Sequence, residues 1–149
     1  MKSTRSSAFL WLAGPVGLGL LLAGCVSTAP TPEQERKMAS FVKVRPVLER
    51  SCVHCHAAGR IPGMPSLTST RALSALTGPG NLIVPGFPER SRFFQVITLS
   101  NRQTGAMPPT GHALSKPDVA ALRTWIVEGA LVPDQRSDLT PKGLVPRSI

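Results

Sequence analysis

Residues 52–56 read Cys-Val-His-Cys-His, a C-x-x-C-H run that has the form of an attachment site for a c-type haem. Two intervening residues make about one helical turn, so both thiols reach the two vinyl groups of one porphyrin. The next residue, His56, then falls under the iron as its proximal imidazole. Two other chemistries use paired cysteines. A structural zinc site needs further ligands, and outside the run only Cys25 and His112 remain. A thioredoxin-like redox pair needs a βαβ context, and no strand pattern is visible. A buried haem constrains the fold strongly, because it acts as a large apolar core element in a short chain with a modest core of its own. The aromatic content fits: there are no Tyr, two Trp and five Phe.

The amino terminus reads as an export signal. Lys2 and Arg5 form a positive region, and Ala8 to Gly24 is an apolar run broken by Gly14, Pro15, Gly17 and Gly19. That run is at the short end for a spanning helix, and its glycines and proline weaken a helix interior. It closes on Leu22-Ala23-Gly24-Cys25, which resembles the lipobox of a bacterial lipoprotein, with Cys25 lipidated as the first mature residue. Val26 follows, where aspartate usually marks inner-membrane retention, so the resemblance implies outer-membrane sorting and a periplasm-facing domain in a Gram-negative host. Several acyl chains, palmitate among them, give stable anchoring where one is marginal. The three cysteines are then all assigned, one to lipid and two to haem.

The formal charge of +9 falls to +7 when Lys2 and Arg5 leave with the signal. The basic residues are scattered, with no run of five or more, so nucleic acid is not an expected partner. Acidic redox proteins and anionic lipid surfaces are the partners such a charge favours.

Along the chain, Ser27 to Pro32 is a short tether. Thr31-Pro32-Glu33-Gln34 resembles a capping box that opens a helix from Pro32 to about Val42. Pro46 disfavours helix at Arg45 and predicts a second helix from Pro46 to Ala57, carrying the haem run. Gly59 to Leu67 is loop. Ser69 caps a short helix through Leu73 and Leu76, stopped by Gly78-Pro79-Gly80. Pro88 to Thr98 reads as a helix with Phe94, Ile97 and Phe93 inward. The last helix starts at Ser115-Lys116-Pro117-Asp118, presents Val119, Leu122, Trp125 and Ile126, and stops at Gly129. Residues 133–149 are polar and aperiodic, which predicts a disordered tail. The chain thus divides into a signal (1–24), a lipid-anchored tether with a short helix (25–43), a haem domain (44–132) and a flexible tail (133–149). The fold class expected is all-α, around one covalently bound haem.

An electron-transfer haem takes a second axial ligand. Met38, Met64, Met107, His54 and His112 are available in the mature chain. His54 lies inside the attachment turn and is expected to point away from the iron. Met64 is too near His56 to cross to the far face, and Met38 lies on a helix that precedes the run. Met107 follows His56 by a segment long enough to wrap the haem edge, and Pro108 and Pro109 stiffen its loop. His112, on the same loop, is the rival. Thioether ligation raises the reduction potential, so Met107 predicts the higher-potential site. Arg60, Arg90 and Arg92 are candidates for holding the haem carboxylates.

Taken together, Pro46-Val47-Leu48, the run 52–56, Ile83-Val84-Pro85-Gly86, Met107-Pro108-Pro109, Leu114-Ser115 and Trp125-Ile126-Val127-Glu128-Gly129-Ala130 resemble the planctomycete-type cytochrome c domain, a branch of the class I cytochrome c fold. The resemblance spans residues 44–132. It implies an all-α fold, thioethers at Cys52 and Cys55, and His56 and Met107 as axial ligands. It also implies a proline carbonyl against the proximal imidazole, for which Pro65 is the candidate. Phe87 departs from the family, which usually has Asp or Asn there to cap the helix at Pro88. The function expected is single-electron transfer by a monohaem lipoprotein, an electron carrier and not an enzyme. The alternatives are a five-coordinate haem enzyme or gas sensor, and a haem-bearing anchoring subunit of a larger oxidoreductase.

Overall fold

The computed structural model describes residues 29–109 and 113–143. Cys25, with the signal and lipobox, and His112 lie outside the described residues. Among the described residues four helices carry the fold: α1 (Pro32–Ser51), α2 (Thr70–Ala75), α3 (Arg92–Thr98) and α4 (Lys116–Val127), with a 3₁₀ turn at Pro88–Arg90 before α3. The protein is helical, and among the described residues only two isolated β-bridges occur, Ser69 with Asp138 and Thr77 with Ile83. None of the described helices is long and apolar enough to cross a membrane.

The capping box at Thr31 opens α1. The Gln34 amide donates to Thr31 Oγ1 at 3.3 Å, and the Thr31 amide donates to Gln34 Oε1 at 2.8 Å. The helix does not break at Pro46, as the sequence predicts, but runs through it to Ser51. Proline removes one hydrogen bond to the carbonyl four residues back. Here both Pro46 and Val42 lie on the exposed face, so the Val42 carbonyl faces water. The opposite face, Phe41, Val44, Val47 and Leu48, is buried. Burying one such side chain contributes about 1.5–3 kcal/mol, enough to hold the helix across one lost bond.

That face packs on α4, whose Leu122, Trp125 and Ile126 complete the core. Ser115 caps α4, its Oγ accepting from the Asp118 amide. The chain turns off at Gly129 (φ 103°), and Trp125 Nε1 donates to the Leu131 carbonyl at 2.8 Å, which pins that turn.

The helix expected over 88–98 is divided. Ser91 is extended (φ −86°, ψ 111°) and fully buried. Its hydroxyl accepts from the Val84 amide at 2.8 Å and donates to the Phe87 carbonyl at 2.9 Å, so local side-chain bonds outcompete the helical ladder there. No side chain caps the turn at Phe87. Phe94 and Ile97 are buried and Phe93 is half-buried.

The tail expected to be disordered is packed as far as the structure describes it. Leu139 enters the core at 3% exposure. Its amide donates to the Thr68 carbonyl at 2.8 Å, and the Thr70 amide donates to the Ser137 carbonyl at 3.0 Å. One buried leucine and paired backbone groups hold a segment that has no periodicity to announce it.

Candidate functional site

The haem-attachment run begins where α1 ends. The Cys52 and Val53 amides both donate to the Leu48 carbonyl, at 2.9 and 3.0 Å, and the Cys55 and His56 amides donate to the Cys52 carbonyl at 3.2 and 3.0 Å. The run is therefore a pair of tight turns and not the continued helix expected to Ala57. Both cysteines are free thiols, Cys52 buried and Cys55 half-buried. Burial, reinforced by the neighbouring Cys55, pushes the Cys52 thiol up to about 12, so it is a neutral thiol at physiological pH.

His56 is fixed from behind. Its Nδ1 lies 2.9 Å from the carbonyl oxygen of Pro65. A carbonyl only accepts, so Nδ1 carries the proton and Nε2 keeps its lone pair. Such a partner sets the tautomer and ring orientation of a ligating histidine and raises its basicity. The loop from His56 to Pro65 is closed at its base by the Leu67 amide, which donates to the His56 carbonyl at 2.9 Å.

Cys52, Cys55 and His56 line a cavity of about 570 Å³, within the usual range of cofactor pockets, about 300–1,000 Å³. Apolar side chains make most of its wall, including Leu67, Leu76 and Ile83, with Phe93, Val96 and Ile97 from α3. Met107 lines the same cavity. Its amide donates to the Val96 carbonyl at 2.9 Å, which ties the loop to α3. Pro108 and Pro109 continue along the wall.

Met64 also lines the cavity, but it is 41% exposed. Met38 is exposed on α1 and is not among the lining residues. His54, expected to point away, lines the cavity at 9% exposure. Its Nε2 is buried without a hydrogen-bond partner among the described residues.

Of the three arginines considered for the haem carboxylates, Arg92 lines the cavity, whereas Arg60 and Arg90 do not. Arg90 instead lies over the Phe87 ring, 5.2 Å from its centroid. The sequence reading missed Arg50, which lines the cavity two residues before Cys52 and holds both carboxylate oxygens of Asp118 at 2.9 and 3.0 Å. Its position on the last turn of α1, beside the run, was the available signal.

This donor set fits a haem. Two thiols two residues apart offer the covalent link, an imidazole with a free Nε2 and a thioether offer axial ligands, and the walls are apolar. No cluster of three or more His, Cys, Asp or Glu with metal-holding geometry occurs among the described residues.

Comparison with known families agrees. Residues 52–111 match a family model described as Planctomycete cytochrome C. No curated protein and no solved structure matches the chain. The matched segment opens at the first thiol and runs past Met107, so it contains the attachment turns, the Pro65 loop and α3, and leaves α1, α4 and residues 133–143 outside. Residues 52–111 are thus similar to the planctomycete cytochrome c family, a likeness that suggests a small helical, haem-binding, electron-transfer protein.

Proposed function

We propose that this protein is a lipid-anchored, periplasm-facing cytochrome that carries one haem c and passes single electrons between protein partners. The observation that carries the reading is the pairing of an oriented His56 with Met107 on the wall of one apolar cavity. Haem, when bound, supplies reversible one-electron chemistry between ferric and ferrous iron. Cys52 and Cys55 would hold it by thioether bonds. His56 would present Nε2, with its proton kept at Nδ1 by the Pro65 carbonyl. Met107 would present its sulfur, held in place by the backbone bond to Val96. Leu67, Ile83, Phe93 and Ile97 exclude water, which favours electron passage over ligand chemistry.

Cys25 is the proposed lipidation site, and Val26 after it favours the outer membrane. The basic balance of the mature chain favours an acidic redox partner. Two measurements test the reading. Absorption spectra of the purified protein, with and without carbon monoxide, report the sixth ligand. A methionine-to-iron charge-transfer band in the ferric form and slow carbon monoxide uptake are expected. Ready uptake by the wild-type ferrous form would instead indicate an open position and a sensor or enzyme. Mass spectrometry of the mature amino terminus is expected to find acylated Cys25, and an intact Met1 would refute the anchor.

A further inference from the structure

The segment after α4 does more than fill space, because its bonds meet on one buried carboxylate. Glu49 lies on the last turn of α1, three residues before Cys52, and its side chain is 1% exposed. Its Oε2 accepts from Lys142 Nζ at 2.6 Å, and its Oε1 from Arg45 Nε at 3.0 Å and the Thr140 amide at 3.4 Å. The Lys142 amide also donates to the Glu49 carbonyl at 2.9 Å. The same segment reaches the other end of the attachment loop, where Leu139 and Ser137 bond Thr68 and Thr70. Residues 137–142 therefore bridge the two points between which the chain makes its attachment turns and the Pro65 loop.

We propose that this segment is a latch on the proximal side of the haem site, with Glu49 and Lys142 as its positioning residues. Neither touches the cavity. Glu49 fixes the turn of α1 that launches Cys52, and Leu139 fixes the strand of chain that returns from Pro65. Together they set how tightly the Pro65 carbonyl holds His56 Nδ1. The latch lies outside the segment matched to the family. The proposal rests on the haem reading of the site.

The test uses the haem-loaded full chain and Lys142→Ala, with Lys142→Arg as the conservative control. Lys142 is largely exposed, so its variants fold. Loosening the latch weakens the Pro65 bond and makes His56 a poorer donor to ferric iron. The midpoint potential of Lys142→Ala should then rise. Loss of a positive charge by itself would lower it, so the sign separates the two causes. Exchange of the His56 Nδ1 proton with solvent should accelerate roughly tenfold, about what one weakened hydrogen bond allows. Lys142→Arg should restore both readouts. An unchanged or lowered potential with unchanged proton exchange overturns the latch, even if the melting temperature falls. Haem content of the wild-type chain is measured first. A chain without covalent haem overturns the underlying reading instead.

Discussion

Leu139→Ala asks whether residues 133–143 belong to the fold. Leu139 is 3% exposed and packs in the main core cluster. Removing its three outer carbons forfeits about 2 kcal/mol of transfer energy at roughly 0.8 kcal/mol per methylene. A residual cavity adds to this, and buried Leu→Ala changes as a class cost about 2–5 kcal/mol. The segment is peripheral and can partly collapse into the gap, so the expected loss is about 2–3 kcal/mol. At roughly 4 °C per kcal/mol for a domain of this size, the melting temperature should fall by about 8–12 °C. Thermal and urea unfolding of the haem-loaded protein, followed by far-ultraviolet dichroism, gives both numbers. The urea slope should be unchanged, since the surface exposed on unfolding is nearly the same. A disordered tail predicts essentially no effect. A loss under about 0.5 kcal/mol, the range of ordinary surface substitutions, would refute the packing described for this segment and remove the basis of the latch.

Met107→Ala should open the sixth position: the ferric charge-transfer band disappears and carbon monoxide binds the ferrous form readily, while covalent haem remains. Ser91→Ala should cost about 1–3 kcal/mol in urea unfolding, because the Val84 amide and Phe87 carbonyl lose a partner inside the fold. Stability should also depend on pH through Glu49. Burial pushes its carboxyl up, but Lys142, Arg45 and the Thr140 amide outweigh burial and hold it below the ordinary value of 4.5. The folded state therefore gains from the ionised form above 4.5, and that gain is lost as pH falls through the lower folded value. Unfolding free energies measured from pH 6 downward should fall more steeply for the wild type than for Glu49→Gln, and equal slopes would rule Glu49 out.

The readings that held rest on local chemistry. A capping box at Thr31, a serine cap at Ser69 and another at Ser115 announce helix starts because the side chain and the amide it satisfies are three residues apart. Pro65 was identified through resemblance, and its carbonyl does meet His56 Nδ1. The readings that failed depend on burial elsewhere. Nothing local says that Pro46 lies on a solvent face, where a proline is tolerated, or that Ser91 spends its hydroxyl on Val84 and Phe87. Leu139 carries no periodic signal, because a single apolar residue in an extended segment has none to carry.

The spacing of Cys52, Cys55 and His56 by itself pointed to a c-type haem, since covalent attachment depends on a few atoms close together in the chain. The chain length between His56 and Met107 made Met107 the methionine expected to reach the far face, with His112 as its rival on the same loop. Only the tertiary structure decided that both line one apolar cavity, that His54 lines it too, that Arg50 stands at its wall paired with Asp118, and that Glu49 is clamped by residues from the far end of the chain. Those contacts join positions far apart in sequence, and burial against another element, which no local pattern records, is what selects them.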